Sequence, residues 1–86
     1  MAEKARKRLW LMYPQRLVRQ PIVYELGQRF RLITNIRQAS VQDGVGIVSL
    51  EVQGKPDEIG RAIAWLEETG IKVQPVELDV RDGRTE

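Results

Sequence analysis

The chain has no cysteine and no histidine among its 86 residues. Without cysteine there is no disulfide staple, no thiol chemistry and no cysteine-ligated iron–sulfur cluster, and without either residue the usual zinc sites are gone. Without histidine the commonest general base is missing, together with the nucleophile pairs built on it. Carboxylates, lysine, tyrosine and hydroxyls remain. The expectation is a protein that is not an enzyme and has no cofactor. Long apolar runs are also lacking. No stretch reaches the ~20 residues of a membrane-spanning helix, and none has the build of a signal peptide, so the cytoplasm is the expected location. A chain of this length makes one small domain that buries roughly 60–65% of its unfolded surface.

Charge is plentiful and unevenly placed. The net charge of +2 hides a basic first half. Residues 1–8 hold Lys4, Arg6, Lys7 and Arg8 against Glu3, and residues 9–37 hold Arg16, Arg19, Arg29, Arg31 and Arg37 against Glu25. Residues 43–86 carry five basic and ten acidic groups. A basic half attracts anions or an acidic partner when its cations share a surface, and is an ordinary solvated surface when they do not.

Hydrophobic periodicity divides the chain into six elements. Leu9–Tyr13 is a continuous apolar run that reads as a central strand, ended by Pro14. Pro21–Phe30 reads as a helix with Ile22, Val23, Leu26 and Phe30 on one face, and with Gly27 marking close packing on the sheet. Arg31–Val41 is a weakly patterned strand, with Leu32, Thr34 and Ile36 to one side and Ile33, Asn35 and Arg37 to the other; Gln38-Ala39-Ser40 is a place for a bulge. Asp43-Gly44 supplies a two-residue hairpin turn. In Val45–Gly54, Val48, Leu50 and Val52 face inward while Ile47, Ser49, Glu51 and Gln53 face outward. Asp57–Thr69 carries Ile59, Ala62, Ile63 and Leu66 at helical spacing, with Gly70 at the stop. Ile71–Val80 contains Pro75, which cannot donate to a ladder and therefore belongs on a sheet edge.

The order β-α-β-β-α-β implies an α+β, ferredoxin-like sandwich: a four-stranded antiparallel sheet of order 4-1-3-2 with two helices on one face. The domain is expected over residues 8–80, between a basic tail at 1–7 and a polar tail at 81–86. Fold alone decides little about function, because this topology serves sensors, RNA binders, electron carriers and hydrolases.

Phe30–Gly54 followed by Ala62-Ile63-Ala64-Trp65-Leu66 resembles the NIL domain, the small C-terminal domain of the ATPase subunit of methionine-import ABC transporters. Asn35-Ile36-Arg37 stands where that family carries its Asn-Ile-Leu motif, with Arg37 in place of the apolar third residue. The passage Gln28-Arg29-Phe30 and the hairpin into Gly46-Ile47-Val48 are also similar, and the hairpin is shorter than in the transporter relatives. The resemblance runs from about Arg8 to Val80. It implies a regulatory, non-catalytic module that pairs with a second copy and binds methionine or a related amino acid at the interface. It assigns ligand contact to Asn35, Ile36, Arg37 and Ile47. The implied partners are a second copy, an amino-acid ligand and, as the alternative, a protein such as a transporter or a redox protein engaged through an edge strand or the basic surface. The 86 residues hold no ATPase domain.

Two other readings of the same topology fit less well. RNA-recognition domains stack bases on aromatics of strands one and three. Trp10 and Tyr13 lie in strand one, but strand three has no aromatic and turns Glu51 outward, so no nucleic-acid partner is expected. Acylphosphatases pair a first-loop arginine with a second-strand asparagine, which Arg16 or Arg19 with Asn35 would imitate. The loop Pro14-Gln15-Arg16 lacks the glycines that let backbone amides wrap a phosphate.

Overall fold

The computed structural model describes residues 5–76. Its elements run β1 (Ala5–Tyr13), a 3₁₀ turn (Gln15–Leu17), α1 (Ile22–Arg29), β2 (Ile33–Gln42), β3 (Val45–Gly54), α2 (Pro56–Thr69) and β4 (Lys72–Val76). The strands form one antiparallel sheet of order β2-β3-β1-β4, the ferredoxin-like order expected. β1 and β3 are central and pair over nine residues, from Ala5 with Gly54 to Tyr13 with Gly46. β4 lies at one edge and pairs only with β1, which is how Pro75 is tolerated opposite Leu9.

The core lies between the sheet and the two helices. Alternation along β1 sends Leu9, Leu11 and Tyr13 to the helices, and β3 adds Leu50 and Val52. α2 meets them with Ile59, Ala62 and Leu66, and α1 with Ile22 and Leu26. Pro56 and two acidic residues occupy the first turn of α2, where a missing N–H costs nothing and negative charge suits the helix dipole. The helix stops at Gly70, whose φ of 114° a side chain would resist, with the Ile71 N–H donating to the Leu66 carbonyl at 3.0 Å.

Five local features differ from the sequence reading. β1 begins at Ala5, so Ala5, Arg6 and Lys7 are sheet residues rather than tail. The segment after Pro14 forms a 3₁₀ turn that buries Leu17 in the core. α1 is shorter than expected, with Pro21 outside it and Phe30 already extended. Gly27 is exposed, and a Cβ there would meet nothing within 4 Å, so close packing does not explain it. The bulge lies between Ile36 and Gln38, at Arg37, just before the Gln38–Ser40 stretch. The expected polar tail 81–86 and the end of the fourth strand, 77–80, lie outside the described residues.

Three contacts tie the end of α1 and the loop after it to α2. The backbone N–H of Arg31 donates to Glu58 Oε2 at 3.0 Å. Phe30 packs edge-on against Trp65 with ring centroids 6.2 Å apart, and the Arg29 guanidinium lies 5.0 Å from the Trp65 ring centroid.

Candidate functional site

The helices cover one face of the sheet, and the described residues place nothing over the other. On this open face β1 presents Arg6, Arg8, Trp10 and Met12, β3 presents Ile47, Ser49, Glu51 and Gln53, and β4 presents Lys72, Gln74 and Val76, as the pairing register and the burial alternation require.

The bulge decides what β2 contributes. The Asp43-Gly44 turn, with φ of 53° and 79°, closes a two-residue hairpin that pairs Gln42 with Val45 and Gln38 with Ser49. Continued without interruption, that register would set Asn35 against Val52 and turn its amide toward the helices. The extra residue at Arg37 moves Asn35 opposite Glu51 instead, on the open face. Arg37 joins it there, its Nη1 donating to Glu51 Oε1 at 3.3 Å.

The result is a charged cluster at one end of the open face. Arg8, Glu51 and Asn35 stand in one row across β1, β3 and β2, with Arg6, Gln53 and Ile33 in the next. Glu51 is the hub. Its carboxylate is 15% exposed and receives Arg6 Nε at 3.2 Å as well as Arg37. Arg6, Ile33, Asn35, Arg37, Glu51 and Gln53 line a shallow depression of about 270 Å³. Arg8 lies beside it; its Nε is buried and has no hydrogen-bond partner among the described residues.

Of the four residues that the resemblance singles out, Asn35 and Arg37 come together here. Ile36 faces the opposite side of the sheet, opposite Leu50. Ile47 shares the open face but stands four residues along β3 from Glu51, about 13 Å away at ~3.3 Å per residue. Arg6, Arg8 and Glu51 escaped the sequence reading as site residues. The signal for the arginines was present in the alternation of β1, had the strand been extended back to Ala5.

Two further concavities exist among the described residues. An apolar groove of about 470 Å³ runs between α1 and the second half of β2, walled by Tyr13, Val18, Ile22, Ile36, Val41 and Val48. A hollow of about 400 Å³ at the start of α2 lies among Arg31, Asp57, Glu58 and Arg61; Arg61 pairs with both Glu58 and Asp57. Backbone and guanidinium hydrogen bonds from Arg31 and Arg61 hold the Glu58 carboxyl below the usual carboxylate range. Burial pushes the Tyr13 phenol up.

No group of three or more metal-ligating side chains capable of holding an ion occurs among the described residues. No helix there is long and apolar enough to cross a membrane.

Comparison with known proteins places these features in a family. Among solved structures, the C-terminal domain of an ABC transporter ATP-binding protein from Enterococcus faecalis superposes with a TM-score of 0.66 at 21% identity, over 85% of this chain and 86% of that one. A de novo designed protein, Foldit4, superposes with a TM-score of 0.56 at 9% identity, over 88% of this chain and 99% of the design. At these identities both establish the fold and nothing more. The search of curated proteins finds no match. The family model of the NIL domain matches residues 7–75, nearly all of the described sheet and both helices, and the chain belongs to the NIL domain family.

Proposed function

We propose that this chain is a non-catalytic regulatory module that pairs with a second copy along β2 and binds a small amino-acid-like ligand at the Asn35 end of the open sheet face. One observation carries the reading. β2 is an outer strand on which every residue but Thr34 is exposed, with Ile33 and Val41 each 60% and Ile36 51% accessible. An uncovered ten-residue edge is a template for another strand. Pairing of two identical edges gives a closed two-fold dimer, the commonest assembly of soluble proteins. Asn35 lies on that strand beside a cluster of both charge signs. Its amide offers donors and acceptors for the two ends of an amino acid.

The NIL family supplies methionine as the ligand precedent, and the Enterococcus neighbour supplies a transporter setting. Arg37 bulges the edge and places a cation on it, so the strand pairs in two short stretches rather than one. A ligand held across the two-fold interface raises dimer stability as it binds, and dimerisation raises ligand affinity by the same factor.

The test is sedimentation velocity and thermal melting of the full chain at two protein concentrations, with and without a panel of amino acids. A concentration-dependent Tm, abolished by Val41→Glu, together with a ligand shift lost in Asn35→Ala, is the expected result. A monomer at every concentration would overturn the dimer, and a flat panel would overturn the ligand.

A second reading, a protein-interaction module without a small ligand, is favoured by the apolar groove beneath Tyr24, which is 66% exposed, and Ile36. Its partner would be a transporter subunit or a redox protein. A partner held by the arginines dissociates as salt rises, whereas one seated in the groove does not.

A further inference from the structure

The charge balance of the open-face cluster does not suit a neutral amino acid. Two guanidinium groups, from Arg6 and Arg37, pair with the single carboxylate of Glu51, and a third cation, Arg8, stands opposite Glu51 on β1. Glu51 is already shared between Arg6 and Arg37, so one carboxylate answers two cations and leaves the third without a charge partner in the cluster. The buried Nε of Arg8, which has no hydrogen-bond partner among the described residues, is the local sign of that deficit. An orphaned buried donor is a standing cost that an acceptor from outside would remove. Each guanidinium carries five N–H donors in a planar fork that fits a carboxylate in two-point contact, and Arg6 and Arg37 each commit only one nitrogen to Glu51.

The geometry extends the imbalance across the sheet. Arg8 and Asn35 flank Glu51 on adjacent strands, so the row spans about 10 Å at ~4.8 Å per strand. Arg37 lies at the β2 end, where the bulge delivers it to the open face. A ligand with one acidic group would reach one end of this row. A ligand with two, separated by a short carbon chain, would reach both.

We infer that the site selects a short dicarboxylate, with or without an α-ammonium group, rather than an uncharged amino acid such as methionine. This rests on the proposed ligand site at Asn35 and narrows its chemistry. One carboxylate lies at Arg37 with the Asn35 amide as a second donor. The other lies at Arg6, which lines the depression, with the Arg8 cation beside it. Glu51, released from part of its pairing, either receives an ammonium group or stays neutralised by Arg6.

Calorimetric titration of the full chain with L-glutamate, L-aspartate, succinate and L-methionine tests this, using the unmodified protein, Arg37→Leu and Glu51→Gln. Arg37 is about half exposed, so its replacement leaves the core untouched. The expected result is saturable binding of the acidic compounds, about tenfold tighter than methionine, with that margin lost in Arg37→Leu. Tighter glutamate than succinate, reversed by Glu51→Gln, identifies an acidic amino acid; the opposite order identifies a plain dicarboxylate. Methionine binding in preference to the acids overturns the inference and leaves the proposed function standing. Acidic ligands that bind equally well to Arg37→Leu overturn the placement. No binding by any of the four overturns both.

Discussion

The two βαβ halves share a topology and differ in cover. In the second half, α2 runs for 14 residues and seals the sheet with Ile59, Ala62 and Leu66, each at most 3% exposed. In the first half, α1 runs for eight residues, buries Ile22 and Leu26, and leaves Ile36 and Val41 on β2 in the open. The edges repeat the contrast. Within the described residues β4 carries Pro75, which suits a strand that stays unpaired on its outer side; β2 runs for ten residues, guarded among the described residues by a bulge and an arginine. A small domain has little stability to spare; both halves contribute to the buried core, while the first half also keeps an accessible strand beside a groove and a charged cluster centred on Glu51 of β3.

The sharpest break of this comparison is a matched pair of truncations. Leu66→Ala removes a side chain that is 0% exposed and should cost about 2–5 kcal/mol in denaturant unfolding. Ile36→Ala removes a residue of the same size class from the first half and should change monomer stability by no more than about 1 kcal/mol. Equal costs would mean that Ile36 is covered in the folded chain. The next effect is at the seam. A Cβ at Gly54 would stand 2.5 Å from Leu32 Cδ2 and 3.0 Å from the Arg31 carbonyl oxygen. The leucine can turn away but the carbonyl cannot, so Gly54→Ala should destabilise by about 1–3 kcal/mol, read as a lower denaturation midpoint at unchanged slope.

How much of this was legible beforehand follows the same division. The second half was read almost residue for residue, because β3 alternates cleanly and α2 repeats its apolar residues at helical spacing. The hairpin turn and the edge position of β4 followed from Asp43-Gly44 and Pro75, where backbone chemistry leaves few options. The first half was harder. Leu17 lies in a 3₁₀ turn too short for any periodicity to register, and the charges of Arg6 and Lys7 hide the first residues of a strand. The candidate site was half legible. Asn35 and Arg37 lie on one strand, but their meeting with Glu51 depends on a one-residue bulge. Gathering Arg6 and Arg8 needs a cross-strand register that no local pattern contains.

A smaller effect, of opposite sign, concerns two helix glycines. Gly27 in α1 and Gly60 in α2 are exposed, and a Cβ at either would meet nothing within 4 Å. Neither has a positive φ. Gly27→Ala and Gly60→Ala should therefore each stabilise by about 0.5–1 kcal/mol, chiefly by restricting the unfolded chain. They lie on different helices, so the double variant should show the sum in its denaturation midpoint. A loss of ligand binding in Gly27→Ala without a loss of stability would assign that glycine a role in binding and extend the functional half to the outer face of α1.

The smallest effect is electrostatic and sits where the halves join. The Arg31 N–H and the Arg61 guanidinium both donate to Glu58, and together they hold its carboxyl below the ordinary carboxylate range. A carboxyl whose folded-state pKa is depressed adds stability above its unfolded pKa. That contribution fades as the pH falls through the folded value. The stability difference between the unmodified chain and Glu58→Gln should therefore be constant at neutral pH and vanish in acid. Glutamine keeps an acceptor for the Arg31 N–H, so what vanishes is the charge and not the hydrogen bond. Both arginines lie toward solvent, so added salt should shrink the difference at neutral pH as well. A difference that survives in acid would show that Glu58 holds the loop after α1 to α2 by shape alone, and the junction between the covered and uncovered halves would then be a matter of packing rather than charge.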